Sequence, residues 1–140
     1  MKITILGCGA SGGVPNIGCG CPVCTSSNPK NIRTRASILI ENEGSRVIVD
    51  LSPDLRQQAL RHTITTVDAI IVTHGHADHC HGIDDTRTFN YHRNAAIPLY
   101  ADQDTLGRLQ TGFPYVFTPH QKGKPWYKPE LTPHVIDITS

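Results

Sequence analysis

A chain of 140 residues is long enough for one domain with a real core. Its 13 basic and 12 acidic residues leave a formal net charge of +1, so no field of one sign argues for a polyanion partner. No apolar run approaches the roughly 20 residues of a membrane-spanning helix, which argues against membrane insertion.

The N-terminus, Met-Lys-Ile-Thr-Ile-Leu-Gly-Cys, is too short and too polar for a signal peptide. Five cysteines are an odd number, and three of them fall within six residues. That pattern suits metal binding in a reducing compartment better than a disulfide framework, so a cytoplasmic location is expected. Residues 2–7 alternate toward an apolar strand. Gly7-Cys-Gly9-Ala-Ser-Gly12 then matches the glycine-x-glycine-x-x-glycine dinucleotide fingerprint. The fingerprint works only when a helix begins at once and turns its N-terminus to the pyrophosphate. Here Pro15, Gly18, Gly20 and Pro22 follow, and no helix runs through them. The stretch reads as a glycine-rich turn passing close to the active centre, with Cys8 as a small buried residue.

Cys19-Gly-Cys21-Pro-Val-Cys24 sets three thiols in a loop of glycine and proline. Cys19, Cys21 and Cys24 suit one side of a structural zinc ion; a closed site is almost always four-coordinate, so one ligand is missing. His120 and His134 are both candidates, and no spacing rule selects either. Three free loop thiols are the competing reading. Cys80 is assigned to packing. Residues 25–35 form a polar connection in which Arg33 and Arg35 meet either a phosphate or solvent.

Ser37 to Glu41 and Arg46 to Asp50 are short apolar segments, and Asn42-Glu43-Gly44-Ser45 between them is a hairpin turn. Ser52-Pro53-Asp54 has the form of a helix start: serine at the cap, proline at the first helical position, an acid in the first turn. Leu55, Ala59 and Leu60 give that helix an apolar side, and its end is expected near His62.

Ala69-Ile70-Ile71-Val72 is a continuous apolar run and reads as a short buried strand. Directly after it, residues 74–81 hold four of the protein's eight histidines and one aspartate. A solvated polar loop is a poor account of that density. In an extended segment side chains alternate, so His74 and His76 point to the same side, which suits a single ion such as zinc. Asp78 and His79 follow the turn of the chain and are placed for a second ion nearby. Two ions roughly 3.5–4 Å apart can clamp the attacking and leaving oxygens of a hydrolysis. Gly75 and Gly82 let backbone pass close to ligands or turn sharply.

Asp84 and Asp85 stand near a helix start, and Arg87 faces either an anionic substrate or one of those acids. Ile97-Pro98-Leu99-Tyr100 reads as an edge strand, given its proline. Asp102 caps a helix carrying Leu106 and Leu109 and closed near Gly112. From Thr118 to Pro133 the chain is proline-rich, with Lys122, Lys124, Trp126, Tyr127 and Lys128. Balanced overall charge favours a lid or rim over a nucleic-acid surface. Val135 to Ile138 reads as a last strand, giving an α/β order with mixed pairing.

His74-x-His76-x-Asp78-His79-x-x-Gly82 resembles the signature of the metallo-β-lactamase-fold hydrolases. Gly-Cys-Gly-Ala-Ser-Gly-Gly-Val-Pro, at residues 7–15, is similar to the start of one branch. That branch contains the phosphoribosyl cyclic phosphate phosphodiesterase of phosphonate breakdown and the pyrroloquinoline quinone biosynthesis protein B. The resemblance implies an α/β (α+β) fold, an αββα sandwich, of which residues 1–140 hold the N-terminal half to two-thirds. It implies that His74 and His76 bind one zinc or manganese ion and that Asp78 and His79 bind another, with Asp78 the candidate catalytic carboxylate. It also implies that Asp50 orients the ligands, that a structural zinc sits at the cysteines, and that the substrate is a small phosphodiester. Two further histidines and a bridging aspartate are expected beyond Ser140; His120, His134 and Asp137 are the later candidates within the chain, in no matching motif. Association follows as an expectation, with a second copy or a complementing C-terminal polypeptide. The alternatives are a protein like the quinone biosynthesis protein and an inactive fragment of a hydrolase.

Overall fold

The structure is a computed structural model and describes residues 1–121 and 123–137. Six strands form one sheet in the order β1-β2-β3-β4-β5-β6. β1 (Lys2–Gly7), β2 (Ser37–Asn42) and β3 (Ser45–Val49) pair antiparallel. β4 (Ala69–Ile71), β5 (Ile97–Ala101) and β6 (Leu131–Val135) then add in parallel. The β2–β3 hairpin closes over Glu43 and Gly44, with φ of 49° and 85°. Two successive left-handed residues are what a two-residue type I′ turn requires.

Parallel neighbours need crossovers, and helices supply them. α1 (Leu55–Arg61) joins β3 to β4. α2 (Ala77–Cys80) is a single turn within the histidine stretch, and α3 (Thr86–Arg93) completes the path to β5. α4 (Gln103–Gly112) lies between β5 and β6. The Asp102 side chain caps α4 as expected, accepting from the Thr105 N–H at 2.8 Å.

Alternation along the strands sorts side chains to two faces. Leu39, Ile48, Ile70, Leu99 and Leu131 share one face, none more than 3% exposed, in one core with Leu55, Phe89, Leu106 and Leu109. Burying one such side chain stabilises the fold by about 1.5–3 kcal/mol. Ile3, Ile5, Ile38, Ile40, Val47 and Val49 stand on the opposite face in register, continued by Ile71 and Tyr100. Ile3 and Ile5 are 55% and 64% exposed, and the others are partly exposed.

Four features differ from expectation. α1 begins at Leu55, with Asp54 rather than Ser52 at its cap position. The Asp54 carboxylate is drawn instead to Arg35, at 3.0 and 3.1 Å from Nη1 and 2.9 Å from the backbone N–H. Leu60 lies outside the core at 66% exposure, because it falls on the far side of this short helix from Leu55. β5 is internal despite Pro98. The Ile97 N–H donates to Glu130 on the β6 side, so alternation turns the Pro98 nitrogen toward β4, where the short β4 is only beginning. The last strand is Leu131–Val135, starting inside the proline-rich segment. Pro133 is tolerated there because β6 is an edge and the Pro133 nitrogen faces away from β5. Ile138, at the end of the strand expected from sequence, lies outside the described residues.

Candidate metal centre

In open α/β sheets, ligands bind outside the carboxyl ends of the parallel strands. Three such ends meet here: Asp50 after β3, Thr73 to His79 after β4, and Asp102 after β5. Asp50 is 6% exposed and adopts a left-handed φ of 64°, a conformation aspartate tolerates better than most residues. Its backbone is fixed on both sides: the N–H donates to Ile71 at 2.8 Å, and the carbonyl accepts from the Ser37 hydroxyl at 3.0 Å.

That turn aims the Asp50 carboxylate at the histidine stretch. Oδ1 accepts from the Thr73 N–H at 2.8 Å, and both oxygens lie within reach of the Thr73 hydroxyl, at 3.0 and 2.9 Å. Oδ2 meets His79 Nδ1 at 2.7 Å. The acid expected to hold the far nitrogen of a histidine therefore holds that of His79. The stretch is also stitched to the linker before α1, since Leu51 N–H donates to the His79 carbonyl at 2.7 Å and Gly82 N–H to Leu51 at 2.8 Å. A Cβ on Gly82 would run into the Ser52 carbonyl and lie 2.9 Å from the Leu55 Cβ, so this close approach requires glycine. Cys80 is buried, and its thiol donates to the His76 carbonyl at 3.1 Å. Burial, then the charges of Asp50 and Asp78, push that thiol's pKa up, in keeping with a packing role.

The rings of His74, His76 and His79 lie close and Asp78 meets His79, but among the described residues these side chains do not form a group whose ligand atoms all fall within 4.8 Å of one another. The His74 ring lies 4.7 Å from that of His76 and 4.1 Å from that of His79. His79 Nε2 is 3.3 Å from Asp78 Oδ2. With Nδ1 donating to Asp50, a neutral His79 turns a lone pair on Nε2 toward an acceptor oxygen. Two lone pairs at that distance repel unless a cation, either a proton or a metal ion, lies with them. The donor set of imidazoles and a carboxylate fits zinc chemically.

Cys19, Cys21 and Cys24 form the second cluster. Among the described residues they are the group whose ligand atoms all fall within 4.8 Å of one another. Backbone donors pin them: Asn16 N–H reaches Cys24 Sγ at 3.4 Å, and Cys24 N–H reaches Cys21 Sγ at 3.5 Å. The Cys24 N–H, then the neighbouring thiols, bring Cys21 down to a pKa of about 7. For Cys24 the Asn16 N–H pulls the pKa down, but the side chains of Cys19 and Cys21 and partial desolvation raise it overall. All five cysteines are free.

Other expectations do not survive. Cys8 is exposed, because the chain has already left the sheet after the irregularity between Ile5 and Gly7. His120 stacks on Trp126 at 4.0 Å, and its Nε2 is paired with the Lys124 carbonyl. His134 stacks on Tyr100 at 4.9 Å, two strands from β4. Neither falls in the cysteine group. Arg35 is engaged by Asp54 and the Ser11 carbonyl; Arg87, by contrast, meets one of the two acids expected for it, pairing with Asp84 at 3.3 Å. The proline-rich loop, of which Lys122 lies outside the described residues, is no rim to the histidines. Trp126 donates to Asn94 and His120 N–H to Glu130, which ties the loop to the amino ends of β5 and β6, opposite the centre.

Sequence reading passed over Thr73, whose hydroxyl also meets His74 Nδ1 at 3.1 Å. Its position directly before the first histidine was the available signal. It also passed over Gln58, 1% exposed, which donates to Thr34 Oγ1 and the Arg35 carbonyl at 3.1 and 2.9 Å. Nothing in the sequence marks that buried glutamine.

A mixed sheet that gathers imidazoles and carboxylates at the carboxyl end of a parallel strand defines an α/β protein with a candidate metal centre. The chain belongs to the β-lactamase superfamily domain family, whose pattern matches residues 45–139. A Porphyromonas gingivalis protein named octanoyltransferase is 42% identical over 99% of this chain and 29% of its own length. Coenzyme PQQ synthesis protein B of Rhodopseudomonas palustris is 33% identical over 79% of this chain and 38% of its own. Among solved structures, a diphosphatase of the PhnP family is 41% identical with a TM-score of 0.84, over 96% of this chain and 50% of that one. Zinc-bound PqqB from Methylobacterium extorquens shares the fold at 23% identity and a TM-score of 0.78, over 100% of this chain and 50% of that one. The chain thus spans half or less of the length of these relatives.

Proposed function

We propose that this chain carries the ligand-bearing N-terminal part of a metal-dependent hydrolase acting on a small phosphodiester or related phosphate ester in the cytoplasm. The observation that carries the reading is the Asp50–His79–Asp78 line, in which a buried carboxylate fixes one imidazole nitrogen and a second carboxylate faces the other. Likeness to the PhnP-family diphosphatase supports the substrate class. His74 and His76 would hold one zinc or manganese ion, and Asp78 and His79 the other. Such an ion, when bound, supplies Lewis acidity and lowers the pKa of water from 15.7 to about 7. The protein's own contribution is orientation. Asp50 holds the His79 ring, the Leu51 bonds hold the loop, and Asp78 sets a carboxylate oxygen 3.3 Å from His79 Nε2, where it would help to hold the ion. The test is turnover of bis(p-nitrophenyl) phosphate with added zinc or manganese. His76→Ala should abolish it, and metal-independent turnover would refute the reading.

The cysteine trio favours a second reading, a metal-binding protein like coenzyme PQQ synthesis protein B. One zinc per chain, lost in Cys21→Ser, with no diesterase turnover at any metal concentration would select it.

A further inference from the structure

We propose that Thr73 is a positioning residue that passes the acceptor character of Asp50 on to His74, so that one carboxylate sets the tautomer of two histidines. The inference rests on the metal-centre reading above and adds to it a residue with no ligand role.

A threonine hydroxyl has one proton and two lone pairs. The Thr73 hydroxyl lies 3.0 and 2.9 Å from the two Asp50 oxygens and 3.1 Å from His74 Nδ1. A carboxylate only accepts. If the hydroxyl proton pointed at His74, an oxygen lone pair would face two acceptor oxygens within 3.0 Å. The proton therefore goes to Asp50, and the hydroxyl is left as an acceptor toward His74. That arrangement places hydrogen on His74 Nδ1 and leaves Nε2 bare. His79 reaches the same state directly, since its Nδ1 donates to Asp50 Oδ2 at 2.7 Å. Both rings then offer Nε2, and a fixed tautomer is what a partner beyond the ligand contributes to metal binding. The Thr73 N–H also donates to Asp50 Oδ1 at 2.8 Å, so the backbone stays anchored when the hydroxyl is removed. Thr73 is exposed, so an isosteric replacement opens no cavity in the core.

The experiment uses the metal-free full chain labelled with ¹⁵N-histidine. Long-range ¹H–¹⁵N correlation, recorded above the pH at which the rings protonate, reads which nitrogen carries hydrogen. His74 should be the Nδ1–H form in the wild type and in Thr73→Ser, and should move to the commoner Nε2–H form in Thr73→Val. His79 should stay Nδ1–H in all three, which also reports that the variants fold. An Nε2–H signal for His74 in the wild type, or an unchanged His74 in Thr73→Val, overturns the proposal. Zinc titration, followed at the His74 and His79 ring signals so that binding at the cysteines is not counted, separates this outcome from failure of the metal reading. Thr73→Val should weaken zinc binding about 10–100-fold, with Thr73→Ser near wild type. A wild type whose His74 and His79 signals do not respond to zinc refutes the metal centre, while the tautomer result stands by itself.

Discussion

At the scale of single residues, the cysteine loop carries the sharpest chemical contrast. Cys21 and Cys24 are three positions apart, yet their local donors drive them in opposite directions. Cys21 has the Cys24 N–H as its main stabilising partner and titrates at about 7. A lowered thiol pKa means thiolate above that value and thiol below it. Alkylation of the metal-free chain by iodoacetamide should therefore label Cys21 ahead of Cys24 and of buried Cys80, with a rate that rises through a midpoint near pH 7. Peptide mass spectrometry reads the order, and faster labelling of Cys24 would contradict it. Bound zinc should suppress labelling at both positions, because the thiolates would be engaged.

Among the elements, the join between β3, α1 and the histidine loop decides whether the centre exists. Gly82→Ala drives a methyl into the Ser52 carbonyl, which is backbone and cannot swing aside. A loss of about 1–3 kcal/mol is expected, seen as a lower Tm. Gly75→Ala is the control: its methyl would meet the Arg108 Cδ at 3.0 Å, part of an exposed and flexible side chain, and should cost less than about 1 kcal/mol. The start of β4 offers a test by pH. Asp68 accepts from the Arg46 N–H at 2.8 Å and from Arg93 at 2.7 Å, which lower its pKa in that order. A depressed folded pKa gives stability that is present above the ordinary carboxylate value of about 3.9 and fades as pH falls through the folded one. The side chain is 46% exposed, so Asp68→Asn should cost only about 0.5–1 kcal/mol at pH 7. Denaturant melts at pH 7 and pH 3 should show the gap closing. Elements written in periodicity and turn chemistry were legible from sequence: the Asn42–Ser45 hairpin, the Asp102 cap, the apolar run before the histidines. The HxHxDH spacing likewise pointed to a stretch in which His74, His76 and His79 lie near one another, with ring centroids 4.7 and 4.1 Å apart. What the sequence could not display was competition between distant partners. Asp54 abandons a helix cap for Arg35, 19 positions away, and Pro98 enters the sheet interior because its neighbour β4 is short.

For the whole molecule, the governing fact is a sheet with helices on one face and a second face without charge. By register, that second face is built from Ile3, Ile5, Ile38, Ile40, Val47, Val49, Ile71 and Tyr100, and no Asp, Glu, Lys or Arg stands among its strand positions. Contiguous apolar surface of this kind is rare on monomeric soluble proteins and marks a surface that pairs with something. Flat sheets pack best against another sheet about 10 Å away, with side chains interdigitating across the gap. The relatives are about two or more times as long as this chain. Left alone, the isolated chain has only its own copies to offer that face. Sedimentation at tens of micromolar should therefore show a species larger than one chain, together with strong binding of a hydrophobic dye. Ile40→Lys with Val49→Lys puts two like charges on the face, in antiparallel neighbours, without touching the helix-side core. The doubly substituted chain should sediment as a monomer, bind less dye and keep its zinc affinity, because the histidines stand at the strand ends and not on this face. A wild type that is monomeric and dye-negative would mean that the face is covered from within the chain.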